Sequence, residues 1–248
     1  MAAPPSADDV AFDDDLRARL AANLAAHDRL ALPSDDHHRA AVAVVVVGSD
    51  AGIHGDDPDP APAALLSGIP GAEGYPLTGS VAGTAGGAAV LLTRRAATLR
   101  AHGGQWALPG GRVDEAEEPV AAALRELGEE LGLTLGSDDV LGCLDDYRTR
   151  SGYVITPFVV WGGADPALSP DPAEVHSVHR ISLRELCRPD SPRFVSIPES
   201  DRPVVQIPIG GDLIHAPTGA ILLQFRRVAF EGVCERVNGY EQPVFAWR

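Results

Sequence analysis

Glu126, Glu129 and Glu130 fall within the segment RELGEEL, residues 125–131, at i, i+3 and i+4. On a helix, side chains at that spacing meet on one face, and three carboxylates there repel one another. Arg125 precedes Glu129 by four residues, the right spacing for an ion pair, yet one guanidinium does not neutralise three carboxylates. Glu117 adds a further carboxylate on the loop upstream. The ordinary reading of such a stretch is a solvated acidic face. Against it stands the Pro109-Gly110-Gly111 turn, a place of close backbone approach, which leads into the helix. Oxygen donors clustered without histidine or cysteine suit a hard cation, Mg²⁺ or Mn²⁺, held by a few carboxylates together with substrate phosphates.

These side chains need a helix to present them, and the sequence supplies its punctuation. Pro119 fits a first helical turn, behind a run of acids (Asp114, Glu115, Glu117, Glu118) that suits the positive end of the helix dipole. Gly132 supplies the stop. Val120, Leu124, Leu127 and Leu131 form one apolar stripe, with the three glutamates on another side, so the leucines are expected to hold the helix down while the glutamates face out.

Around this helix the chain reads as strands and helices in mixed order. Residues 40–47 (AAVAVVVV) and 88–93 (AAVLLT) predict buried strands able to pair. Residues 105–108 lead to the Pro-Gly-Gly turn. Residues 140–147 and 154–161 predict strands joined around Arg150-Ser151-Gly152, and 174–181 a further strand, followed by a short helix capped by Ser182. Leu16, Leu20, Leu24 and Leu30 space an amphipathic helix over 14–31. Residues 218–230 predict a helix stopped by Gly232, and the C-terminal PVFAWR a strand. Between the first two strands, residues 50–87 are rich in Gly, Pro, Ala and Asp without a period, which predicts a mobile inserted loop. Residues 188–217 carry several prolines and give no assignable pattern. An α/β or α+β sandwich is expected rather than a doubly wound sheet.

Composition narrows the chemistry. All 20 basic residues of the 248 are arginine, which excludes Schiff-base lysine chemistry and a phosphate-loop lysine. The formal charge of −15 argues against a nucleic acid polymer or an anionic membrane as partner. A small anionic substrate stays compatible if arginines and metal ions reverse the potential locally. Cys143, Cys187 and Cys234 have no CxxC spacing, so neither a disulfide framework nor a zinc knuckle is indicated. His37, His38, His176 and His179 are expected to face solvent. No run is long enough to span a bilayer and the N-terminus is acidic, so a cytoplasmic location is expected.

From Gly111 through Glu117 to Arg125-Glu126-Leu127-Gly128-Glu129-Glu130-Leu131-Gly132-Leu133, the chain resembles the Nudix box, GX5EX7REUXEEXGU with U aliphatic, at every fixed position. Nudix enzymes hydrolyse a nucleoside diphosphate linked to another group, X. The resemblance implies a Nudix-type α/β/α sandwich with a mixed sheet, here over 38–248, with an N-terminal acidic and helical extension (1–37) and the Gly/Pro-rich insertion. It further implies that Glu126, Glu129 and Glu130 bind the divalent metal, that Glu129 alternatively orients water, that Arg125 braces the glutamates, and that Gly111 lets the loop close on the site. Glu126 is the first choice as proton acceptor, with Glu174 or Glu199 as competitors outside the box. A homodimer is compatible with the chain.

Upstream, LLTRRAATLRAHGGQWALPGG over 91–111 resembles the motif of coenzyme A pyrophosphatases, LLTxR(S/A)x3Rx3GxxxFPGG, with Leu108 in place of Phe. That resemblance extends over residues 40–186, apart from the insertion, and implies coenzyme A or a derivative as substrate. Arg95 and Arg100 would then grip phosphate, with Gly110 and Gly111 beside the diphosphate. Other Nudix substrates (ADP-ribose, a dinucleotide, a nucleoside triphosphate), or nucleotide sensing without cleavage, are the alternatives.

Overall fold

The computed structural model describes residues 9–33, 36–66, 69–96 and 103–247. Helix α1 (Asp14–Ala26) opens at Asp13, whose carboxylate accepts from the Leu16 amide. It buries Leu16, Leu20 and Leu24. The helix stops at His27, earlier than leucine spacing predicts, and the chain leaves in an extended conformation that keeps Leu30 off the stripe. Strand β1 (His38–Ser49) runs through the centre of the sheet. Between it and β2 (Gly87–Arg95) lie two single-turn helices, α2 (Ala51–His54) and α3 (Ala63–Leu66). Next come β3 (Trp106–Ala107), β4 (Gly110–Arg112) and α4 (Pro119–Leu131). Strands β5 (Val140–Cys143), β6 (Tyr147–Arg148), β7 (Tyr153–Gly163) and β8 (Val175–Ser182) follow, then the one-turn helix α5 (Leu183–Leu186), which Ser182 caps as expected.

Strands β3-β2-β1-β7-β5 form one sheet in that order, with β4 on β1, β6 on β7 and β8 on β2. The β1–β7 pair is parallel and the other pairs are antiparallel, so the sheet is mixed. Alternate residues of the central strands serve different layers, as a period of two requires. Ala43, Val45, Val47, Ala89 and Leu91 pack under α4 with Leu127 and Leu131. Val44, Val46, Val90 and Leu92 join the larger core on the other face, with α1 and the C-terminal helix. The result is the α/β/α sandwich, and no described helix is long and apolar enough to cross a membrane.

One unassigned stretch is resolved and two expectations need correction. Residues 188–217 hold a second sheet, β9 (Arg193–Ile197), β10 (Ser200–Ile209) and β11 (Asp212–His215), in the order β11-β10-β9. It packs with α6 (Thr218–Gln224), which runs on as a π-helical stretch through Phe230 and ends near Gly232. The C-terminal PVFAWR forms a 3₁₀ turn (Val244–Ala246), because Trp247 turns back to donate to the Gln242 carbonyl. The insertion is anchored rather than loose. Arg94, 2% exposed, reaches from β2 to donate to the carbonyls of Asp59 (2.5 Å) and Gly79 (2.6 Å) and lies 3.4 Å from the Asp57 carboxylate.

Candidate active site

Strands β1 and β2 pair at one end, Val46–Ser49 against Gly87–Val90, and part at the other. The segment Trp106–Arg112 fills the gap, β3 pairing with β2 and β4 with β1, with a bend at Leu108-Pro109 between them. The expected turn at Gly110-Gly111 is therefore strand edge. Gly110 adopts φ 148°, and a Cβ there would run into the backbone of Ala41 and Val42. A Cβ on Gly111 would collide with the Glu126 carboxylate. Glycine at both places lets α4 lie close against the β4 backbone.

Helix α4 begins with Pro119 in its first turn and ends at Gly132 in the left-handed conformation (φ 66°), as its sequence predicts. Its buried face includes Ala122, Ala123, Leu127 and Leu131, and also Glu130. The expectation that all three glutamates face out is thus wrong for one of them. Glu129 is largely exposed and Glu126 mostly covered, while Glu130 is 5% exposed. What covers Glu130 is tertiary. The Gly110 amide donates to its Oε2 at 3.1 Å, and the loop after β7 closes over the helix end through Ser169 N–H to Leu131 O and Asp171 N–H to Glu130 O.

Arg125 braces the cluster as a fork. Its Nε and Nη2 donate to the two oxygens of Glu117 at 3.0 and 3.1 Å, and Nη1 donates to Glu126 (2.9 Å) and Glu129 (2.8 Å). A further bond goes to the Arg112 carbonyl. The bond to Glu117 is the main reason the guanidinium holds its proton more tightly than usual, and Arg125 in turn holds Glu117 below the usual carboxylate range. Glu126 is shifted upward, chiefly by burial and then by Glu129 and Glu174, in spite of Arg125. Burial pushes Glu130 up to about 7; Glu126 and Glu174 add to this, while the Gly110 amide and Arg95 oppose it.

Glu126, Glu129, Glu130, Arg125, Gly110 and Gly111 thus come together, and Arg95 acts on Glu130 from the end of β2. The Nε of Arg95 is buried with no hydrogen-bond partner among the described residues. Arg100 lies outside the described residues. Of the two outside carboxylates, Glu174 bears on both Glu126 and Glu130, whereas Glu199 lies in the β9–β10 turn. His179, expected at the surface, is buried edge-on against Trp106, and burial lowers it to about 4; His176 is exposed beside Asp59.

Among the described residues, no three His, Cys, Asp or Glu side chains already converge as ligands on one point. Arg125 stands between Glu126 and Glu129 and draws both toward itself. The donor set nonetheless fits a hard cation, since it is all carboxylate oxygen and the carboxylate of its buried member, Glu130, has a single hydrogen bond among the described residues, from Gly110.

Residues 79–199 match the NUDIX domain family. That stretch is similar to a Nudix domain. A protein of Photorhabdus laumondii described as the uncharacterized Nudix hydrolase NudL is 40% identical over 111 residues, which cover 44% of this chain and 58% of that one. The NudL protein of Cronobacter sakazakii is 41% identical over 100 residues, 40% of this chain and 52% of its own. The chain thus spans about half the length of these curated relatives. A MutT/nudix family protein of Enterococcus faecalis, of solved structure, is 18% identical with a TM-score of 0.49, covering 80% of this chain and 65% of that one. Within the matched residues, the segment that resembles the Nudix box lies on β4, the loop after it and α4.

Proposed function

We propose that the Nudix domain hydrolyses the pyrophosphate bond of coenzyme A or a derivative, with Mg²⁺ or Mn²⁺, releasing 4′-phosphopantetheine and adenosine 3′,5′-bisphosphate. The observation that carries the hydrolase reading is Glu130, a buried carboxylate with one hydrogen bond, beside Glu126 and Glu174. A diphosphate repels hydroxide through its own negative oxygens; a bound divalent ion supplies the neutralisation and acidifies water. Glu126, Glu129 and Glu130 would hold it.

The remaining work falls to the chain's own groups. Water adds to phosphorus, the bridging P–O bond breaks toward the leaving phosphate, and a carboxylate takes the water's proton. Glu126 is the first choice, because burial favours its protonated form and Arg125 engages only its Oε1. Glu174 is the competitor. Arg125 keeps Glu126 and Glu129 in place, and Arg95 offers a phosphate oxygen its Nε, which has no partner among the described residues. Leu108, the departure from the coenzyme A motif, is buried in the main core, so that change is one of packing.

Pure protein incubated with coenzyme A and either ion should yield the two products in equal amounts on chromatography. Turnover of ADP-ribose with coenzyme A left intact would reject the substrate. Silence toward every diphosphate, with nucleotide still bound, would favour a sensor.

A further inference from the structure

Away from the glutamates, the structure contains a cavity of about 310 Å³. The insertion lines it through Ala64, Leu65 and Ile69, together with Trp106 and Phe245. Its lining is mainly apolar and its few polar groups are already engaged. Asp212 accepts from Trp106 Nε1 at 2.9 Å and lies 3.7 Å from Arg94, which itself covers the Trp106 ring at 4.4 Å. His215 is held neutral at ordinary pH, because burial lowers it to about 4. At the mouth, Leu65 and Phe245 stay 45% and 43% exposed, an apolar rim that water does not favour. The cavity therefore suits an uncharged, apolar ligand.

A short stretch of chain links one of its lining residues to the diphosphate site. Trp106 and Gly110 are four residues apart, so their Cα atoms lie within about 14 Å of each other. Gly110 is the residue whose amide holds Glu130. Arg94 and Arg95, adjacent on β2, divide likewise: Arg94 serves the insertion and Trp106, and Arg95 acts on Glu130. An arm of about a dozen bonds beyond the phosphorus reaches roughly 15 Å, comparable with that Cα separation.

We infer that this cavity receives an apolar tail carried on the non-nucleoside side of the diphosphate, so that Leu65, Trp106 and Phe245 determine which substrates are preferred. The inference rests on the diphosphate-hydrolase reading above and assigns the insertion a purpose: it builds the tail's wall. The volume holds roughly ten groups of about 30 Å³, the share of one water molecule in the liquid. Each methylene taken out of water is worth about fourfold in affinity.

The test compares octanoyl coenzyme A with coenzyme A by titration calorimetry, with metal chelated so that neither is consumed. The octanoyl compound should bind at least tenfold more tightly. Ala64→Trp, a surface-helix change that fills the mouth, should shrink the gap to about twofold, and Leu65→Asp should shrink it too. Equal affinities, binding of neither compound, or a gap untouched by both substitutions would overturn the inference. Turnover is then measured with metal restored. Cleavage of neither compound, with the affinity gap intact, would refute the hydrolase reading and leave the cavity standing.

Discussion

Two glutamates, Glu130 and Glu241, are both almost wholly buried, at 5% and 1% exposed, and their surroundings are opposite. Glu241 accepts from Arg150 (3.2 and 2.5 Å), Arg202 (2.6 Å), Ser200 (2.9 Å) and its neighbour's amide, Gln242 N–H (3.0 Å). Burial alone would raise it, but these donors together hold it at about 2. Glu130 has the Gly110 amide and the opposing charge of Arg95, and burial prevails, pushing it up to about 7. A buried carboxylate that only ties the fold together is saturated with donors, because an unpaired buried charge is costly. One left with a single donor beside two more carboxylates has acceptor capacity that the cation site proposed above would use. That contrast is the ground, independent of motif, on which a functional role is proposed for Glu130 and a structural one for Glu241.

The contrast breaks or sharpens by substitution. Glu130→Gln should lower kcat on the order of 10³-fold, about 4 kcal/mol of barrier, with the thermal midpoint unchanged or higher. A lost fold would show Glu130 to be structural after all. Glu241→Gln should do the reverse, costing about 3 kcal/mol in denaturant unfolding while activity per folded molecule persists. The acid limb of stability should follow the same residue. Its folded value, about 2, lies below the ordinary glutamate value, so its stabilisation is complete above about pH 4.5 and is lost as pH falls toward 2. Glu241→Gln should flatten that limb in urea titrations across this range. If the limb keeps its slope, the donors around Glu241 are not what protects the protein in acid.

Smaller effects probe the geometry beside Glu130. Gly111→Ala places a methyl group against the Glu126 carboxylate and should lower kcat about 30-fold with little change in melting temperature, read by steady-state kinetics and a thermal scan. Arg125→Lys retains the charge but not the fork shared by Glu117, Glu126 and Glu129, and a loss of roughly fivefold in kcat is expected. An equal loss from Arg125→Lys and Glu130→Gln would mean that bracing and ligand roles are not distinct.

Helix α4 was legible because a local period, a first-turn proline and a terminal glycine all mark the same segment. Strands β1, β2, β7 and β8 were legible as short apolar runs bounded by turn residues. The burial of Glu130 was not, since its cover comes from Gly110 and the 169–171 loop, distant along the chain. The second sheet was hidden by Pro198, Pro203 and Pro208, which break the strand pattern although pairing proceeds around them. The insertion looked loose because Arg94, which anchors it, reads locally as one more charge at a strand end. Tertiary partners, absent from any local window, decide each of these cases.

The most direct measurement is calorimetric titration of Mg²⁺ and Mn²⁺ into the protein, alone and with a nucleotide present. Saturable binding is predicted for the natural chain and for Glu241→Gln, and its loss for Glu130→Gln. Failure of both ions to bind the natural chain, with or without nucleotide, would contradict a site built around Glu130 to hold a cation.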